Sequence, residues 1–376
     1  MTDGAQGNRK RRAIAALVAS VTLLAGCGDV PSPANEAAPP KAGPAAPARA
    51  AGYDWGDPGH EYSGDPQFAA SQALCRGVRG REPPAADRPD ARTAAALRGC
   101  DAEALYYGIG VRRDPERARL CAFTQAPGDP SLEPFAGRAM LMIVYANGVG
   151  ARRDLDVALH LACGIRGAAA NEFDARIGHL ARLRTSRRAG RDFHYCDDIT
   201  SGLAGGLCAG HRSAIARPQR EGRLRALLAG WTPAERRAFE PLRRAHEAFV
   251  EASATGDLER SGTAAVALEV QIREGLRDEF VDMLQRLSSG REPRFTPAQL
   301  RTEDLQLNQA YRSRLSDERQ FDGVGISPES IQEAQRAWLR YRDAFLAFAA
   351  VKFPRVPRDS LAAWITRNRS TIIPGF

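Results

Sequence analysis

The sequence predicts an all-α protein: helix–turn–helix repeats stacked in the manner of an α-solenoid, followed by a bundle of antiparallel helices. Two observations carry this. The phrase LYYGIGVRRDPERARLCA at 105–122 returns 40 positions later as YANGVGARRDLDVALHLA at 145–162, and a fixed period of that length marks stacked units. Beyond residue 230, long segments open on helix-capping sequences and carry apolar residues at alternating spacings of three and four, the period of one helical face. On this reading the chain divides into a leader (1–26), a Pro/Ala tether (27–58), repeats (59–190), a Cys-containing connector (191–225) and a helical domain (226–376).

The leader comes first. Arg9, Lys10, Arg11 and Arg12 precede an apolar run at 13–24 that is too short to span a bilayer as a mature helix. Leu24-Ala25-Gly26-Cys27 follows. This order resembles a bacterial lipobox. The resemblance implies cleavage before Cys27 and lipid on its thiol. With Gly28 rather than Asp next, it also implies an outer-membrane anchor facing the periplasm. The tether, rich in Pro and Ala, cannot bury enough apolar surface to fold. No run of about 18 apolar residues occurs after Cys27, so a membrane is expected to be met only through the lipid.

Net charge is +8, of which four basic residues and Asp3 within 1–26 supply +3, leaving +5. The basic residues are nearly all Arg and are interspersed with Asp and Glu, as on solvated helix faces, so no nucleic-acid partner is expected. Seven cysteines less Cys27 leave Cys75, Cys100, Cys121, Cys163, Cys196 and Cys208. An even number in an oxidising compartment implies up to three disulfides, with 15 possible pairings.

In the second copy of the repeated phrase, Ala139, Met142, Ile143, Tyr145 and Ala146 form an apolar helical face. Gly148 and Gly150 turn the chain, Asp154 caps the next helix, and Val157, Ala158, Leu161 and Ala162 give that helix its buried side. The first copy repeats this with Gly108, Gly110 and Asp114, and adds Pro115 at the first helical position. Asp65-Pro66, with Ala69 four residues after the Asp, reads as the second half of an eroded earlier unit. One such unit cannot bury its apolar face alone, but stacked units can. The pattern resembles Sel-one-like repeats, through Tyr145, Gly148, Gly150, Asp154 and Ala158, and departs from them at Leu105 in the first copy. The resemblance implies protein–protein scaffolding without chemistry.

His194, Cys196, Cys208 and His211 are the right residue types for zinc. A Cys196–Cys208 disulfide is the preferred reading, closing a loop bent by Gly202, Gly205 and Gly206. For the other four cysteines, Cys75–Cys100 and Cys121–Cys163 are the expected pairs.

In the last third, Thr232-Pro233-Ala234-Glu235 is a capping box, followed by Phe239, Leu242 and Phe249 on one face, with Pro241 expected to kink or split the helix. Val266, Ile272, Leu276, Phe280, Met283 and Leu287 mark a second helix, stopped by Gly290. Thr296-Pro297-Ala298-Gln299 opens a third, with Leu305, Tyr311 and Leu315. Ser327-Pro328 caps a fourth, in which Ile331, Ala334, Trp338, Tyr341, Phe345 and Phe348 form a packing seam. Leu307, Asn308 and Tyr311, then Gln335, Trp338, Tyr341, Arg342 and Asp343, then Thr366 and Arg369, resemble the LprI-type lysozyme-inhibitor domain over about 300–376. That family usually places a Cys shortly after its Arg-Asp pair, where this chain has Phe345.

The resemblance implies a protein partner, a lysozyme, whose carboxylate-bearing cleft is blocked; Arg340 or Arg342 with a Tyr are the expected contacts. For Arg342 itself a structural role is the preferred reading, a fork to a carboxylate that ties helices together, and an exposed partner contact is the alternative. Electrostatics oppose the inhibitor reading, because 297–376 holds 12 basic and 9 acidic residues, and a basic lysozyme favours an acidic partner. A non-inhibitory scaffold is the second reading and a peptidoglycan hydrolase the third. No nucleophile elbow, zinc-protease motif or phosphate loop is present, so no catalytic residue, metal or cofactor is assigned.

Overall fold

The computed structural model describes residues 54–125, 134–185, 193–257, 262–316, 321 and 325–372. The leader, Cys27 and the tether as far as residue 53 lie outside them. The described residues form thirteen α-helices and no strand. No described helix is long and apolar enough to cross a membrane.

The repeated phrase folds the same way twice, bond for bond. Helix α3 (Ala102–Tyr107) ends at Gly108 and α5 (Gly137–Asn147) at Gly148, both left-handed at φ 77° and 66°. Asp114 N–H donates to Leu105 O at 2.8 Å, and Asp154 N–H to Tyr145 O at 3.0 Å. Arg113 and Arg153 each donate from Nε to the carbonyl seven residues back, at 2.9 Å in both copies. Asp114 and Asp154 accept from the third residue on, at 3.1 and 3.0 Å, and so cap α4 (Pro115–Gln125) and α6 (Leu155–Cys163). Ala118 and Ala158 are wholly buried. Helices α3 to α6 and α7 (Ala170–Thr185) each pack on the next in sequence. Gly150 comes so close to the Pro115 backbone of the preceding unit that a Cβ would overlap it.

Helix α1 (Ala69–Gly77) does not precede the repeats as an earlier unit would. It lies on α6 and α7 at the other end of the array. Trp55, wholly buried, stacks on Phe173 at 4.9 Å and donates its backbone N–H to Cys163 O at 2.9 Å. The first helix therefore supplies the partner that α7 lacks. This placement corrects the disulfide pairing. Cys75 of α1 joins Cys163 at the end of α6, and Cys100, just before α3, joins Cys121 of α4. Cys196 joins Cys208. The short α2 (Ala91–Ala96) packs on α4.

Gly202, Gly205 and Gly206 do not bend a loop. They stand in the first turns of α8 (Gly202–Ala229), where missing side chains let α10 (Ala265–Ser288) approach. A Cβ on Gly206 would lie 3.1 Å from Val266, and one on Gly202 would overlap Thr263. Helix α8 runs unbroken through Pro218. It begins in the first core, through Cys208, and ends in the second, through Leu224, Leu227 and Leu228.

The second core is built by α9 (Pro233–Gly256), α10, α11 (Pro297–Ser316), α12 (Pro328–Lys352) and α13 (Arg358–Ile372). Helices α9 and α12 lie antiparallel: Gly256 meets Ser330 at one end, and Trp231 meets Phe348 at the other. All six seam residues of α12 are at most 5 % exposed. The capping boxes at Thr232, Thr296 and Ser327 form. Pro241 does not split α9, because Phe239 and Leu242 on either side of it are buried in the same core. Two helical faces differ from expectation. Val266 is 61 % and Leu305 67 % exposed. The buried side of α11 is instead Glu303, Leu307 and Ala310, one charged residue among three.

Candidate functional site

Helices α11 and α12 both rest on α13, and a groove opens between them. Leu307 and Trp338, both buried, line its depth. Asp304, Asn308 and Tyr311 face it from α11; Gln332, Gln335, Arg336, Leu339 and Arg342 face it from α12. These positions recur three, four and seven residues apart along each helix, which puts them on one face.

Arg342 lies with its guanidinium 5.0 Å from the centre of the Trp338 ring and its Nη1 3.6 Å from Asp304 Oδ1. That second contact is too long for a hydrogen bond, so Arg342 makes a loose tie between α11 and α12 and not the expected fork. Asp304 also accepts from Thr366 Oγ1 at 3.3 Å. Asn308 Nδ2 donates to the Asp304 carbonyl at 2.7 Å. Arg336 is exposed and has no hydrogen-bond or ion-pair partner among the described residues. Arg340 is exposed and does not line the groove. Asp343, whose side chain is 70 % exposed, has only Arg342 Nε, at 3.9 Å, among the described residues.

The fork expected of Arg342 is made by Arg369. Its Nη1 and Nη2 donate to the two oxygens of Asp257 at 2.5 and 3.0 Å, and both side chains are at most 1 % exposed. Arg369 Nε donates to Gln335 Oε1 at 3.2 Å and its guanidinium sits 5.3 Å from the Phe249 ring. Ser253 Oγ donates to Asp257, and Arg314 Nη2 donates to the Asp257 carbonyl at 2.7 Å. This network binds α9, α11, α12 and α13. Burial holds the Arg314 guanidinium below its ordinary range.

Tyr341 is in the core. Its ring stacks on Phe249 at 5.5 Å, its hydroxyl reaches Met283 Sδ at 3.9 Å, and burial pushes that hydroxyl well above the usual phenol range. Beside it, His246 stacks on Phe280 at 4.0 Å and faces the Leu276 carbonyl at 3.2 Å. Burial lowers the His246 imidazole to about 4. Glu279 is raised by burial, against a hydrogen bond from Asn368.

Of the ten motif residues, Leu307, Asn308, Tyr311, Gln335, Trp338 and Arg342 meet in the groove; Tyr341, Thr366 and Arg369 are buried behind it, and Asp343 faces away. Sequence reasoning missed Arg336, Asp304 and Gln332. The helical spacing from Asn308 back to Asp304, and from Trp338 or Leu339 back to Gln332 and Arg336, would have found them. It also missed Asp257, which stands 112 residues from Arg369 with no local signal. At the earlier candidate cluster, Cys196 and Cys208 are bonded to each other, so neither offers a thiolate. Among the described residues no three His, Cys, Asp or Glu side chains are arranged to hold a metal.

Residues 294–369 match the family model described as lysozyme inhibitor LprI. The match spans about a fifth of the chain and covers α11, α12, the groove and Arg369. No curated protein and no solved structure matches the chain.

Proposed function

We propose that this is a lipid-anchored interaction protein of the bacterial envelope, held by Cys27 at the outer membrane and facing the periplasm. In this reading its C-terminal helical domain binds a lysozyme through the groove between α11 and α12. The observation that supports it is the gathering of six family-motif residues in one groove, inside the segment that matches the inhibitor family. A lysozyme cleft carries two carboxylates about 5 Å apart. The groove offers guanidinium, amide and phenol donors suited to them. Asp304 already neutralises part of Arg342, so Arg336 is the cation left to a partner. We read the helix–turn–helix units as Sel-one-like repeats that hold this domain away from the lipid surface and offer a second protein-binding face.

The excess of basic residues at 297–376 gives no long-range attraction to a basic lysozyme. Recognition would therefore rest on short-range contacts, and added salt should not weaken it. A non-inhibitory scaffold is the second reading. It is favoured by the burial of Trp338, Tyr341 and Arg369, since a motif that builds a core can persist without the inhibitory activity.

Lysis of a wall substrate by lysozyme, with and without the chain lacking residues 1–27, separates them. Inhibition that is lost in Arg336→Ala/Arg342→Ala and kept in Arg340→Ala supports the groove. Unaltered lysis at micromolar excess leaves the scaffold. Turnover without added lysozyme would mean a hydrolase.

A further inference from the structure

A chain of hydrogen bonds with only one workable set of proton positions runs from α3 to α8. His194 caps the 3₁₀ turn Tyr195–Asp198: its Nδ1 accepts from the Cys196 N–H at 3.2 Å. A ring nitrogen that accepts carries no proton, so neutral His194 holds its proton on Nε2. That atom lies 3.3 Å from His211 Nε2, which must then accept. The His211 proton is thereby placed on Nδ1, 2.5 Å from Glu103 Oε1. Each bond dictates the next.

Aromatic rings and a few charged groups surround the pair. The His211 side chain is wholly buried, stacked on Phe135 at 3.8 Å and edge-on to Tyr107 at 4.5 Å. Glu103 faces the pair from α3, Asp197 from the turn and Arg212 from α8; Asp101 lines the same groove as His211. Asp198 is taken by His179 at 2.9 Å. Burial, then the neighbouring His211, hold His194 below the usual histidine range, with Asp197 opposing and Arg212 reinforcing.

One more proton costs the cap. If His211 takes it, that ring donates both to Glu103 and to His194 Nε2. His194 must then carry its own proton on Nδ1, facing the Cys196 N–H. If His194 takes it, the same two donors face each other. A second proton would set two Nε2–H groups head to head.

The capped turn is where the repeat helices are fastened to α8. Phe193 N–H donates to Asn147 Oδ1 of α5 at 2.6 Å, and Asn147 Nδ2 donates back to the Phe193 carbonyl at 3.0 Å. The Tyr195 ring lies under Arg176 of α7 at 4.0 Å. Cys196 is bonded to Cys208 of α8. Helix α8 then carries on to the core behind the groove.

We propose that the Glu103–His211–His194 chain is an acid-sensitive latch, which fastens the repeat helices to α8 when both imidazoles are neutral and releases the turn cap when one gains a proton. The test needs two measurements on the full chain with its disulfides intact. Long-range ¹H–¹⁵N correlation of the imidazoles at pH 7.5 should find Nε2–H at His194 and Nδ1–H at His211. Amide exchange from pH 7.5 to 5 should show Cys196 protection falling by up to about tenfold per pH unit once the pH drops below the ordinary histidine range, and levelling off at the lowered His194 titration, as expected for one proton. In His194→Asn, whose side-chain oxygen can still cap the turn, that fall should vanish. An Nδ1–H tautomer at His194, protection that does not change with pH, or an unchanged pH dependence in His194→Asn would overturn the proposal. The tautomer measurement stands even if the variant does not fold.

Discussion

Replacing Asp257 by Asn keeps the shape of the side chain and removes its charge. One oxygen can still accept from Arg369, but the other becomes an NH₂ that faces a guanidinium donor. The Arg369 side chain is wholly buried, and Gln335 Oε1 is its remaining acceptor besides Asp257. Water cannot take over the lost bond without opening the junction of α9, α12 and α13. Breaking a buried pair by removing one partner costs about 3–5 kcal/mol, or about 4–7 °C in melting temperature for a body of this size. Urea unfolding followed by tryptophan fluorescence reads it, since Trp231, Trp338 and Trp364 all lie in this core. Asp343→Asn is the control: its side chain is 70 % exposed, and its effect should stay within about 0.5 kcal/mol. Replacing both members by apolar residues, Asp257→Leu with Arg369→Met, should recover most of the loss. A cost for Asp257→Asn below about 1 kcal/mol, the level of a surface pair, would refute the reasoning.

Gly150→Ala should destabilise more than Gly110→Ala by thermal unfolding. Both residues have positive φ, which costs a Cβ-bearing residue about 1–2 kcal/mol, but only Gly150 abuts the Pro115 backbone while Gly110 faces open space. His246 is neutral in the fold because burial lowers it to about 4, so the unfolded chain binds the extra proton first. Stability is therefore full above about pH 6.5 and lost as pH falls towards 4, by about 3 kcal/mol; His246→Met should flatten that slope. Loss of Cys75–Cys163, which closes 88 residues, should cost more than loss of Cys100–Cys121 or Cys196–Cys208, which close 21 and 12. The chain-entropy estimates are about 4.6 against about 3 kcal/mol, and peptide mapping under non-reducing conditions checks the pairs themselves.

What could be read in advance was local. The 40-residue shift located α3 to α6, because the same Gly and Asp positions impose the same turn and cap wherever they occur. The 3–4 spacing of Ile331 to Phe348 located the buried side of α12, because that face is purely apolar. On α11 the same reasoning put Leu305 inside, where it is 67 % exposed. That face is buried through Glu303, which accepts from Arg367 Nε at 2.9 Å, and apolar periodicity cannot see a buried carboxylate. The glycines of α8 suggest a bent loop in the sequence and serve as close approach in the fold. The two uses have the same sequence and differ only in what stands opposite. The position of α1 was not local at all. It depends on which end of a stack lacks a partner, and with it went the pairing of Cys75.

At the groove, the motif residues fall into two groups that meet at Gln335 and Trp338. Gln335 lines the groove and accepts from Arg369, so the buried fork to Asp257 sets the position of a wall residue. A change at Arg369, Asp257 or Tyr341 will therefore disturb the groove without any contact between those residues and a partner. Loss of inhibition in such a variant says nothing about the interface. Arg336 is the discriminating position: it is exposed, carries no partner among the described residues, and its removal leaves the packing of α12 intact. If Arg336→Ala keeps both full stability and full inhibition while Arg342→Ala loses inhibition, the guanidinium over Trp338 is the contact. If both variants keep inhibition, the groove is not where a lysozyme is held, and the motif marks only the core.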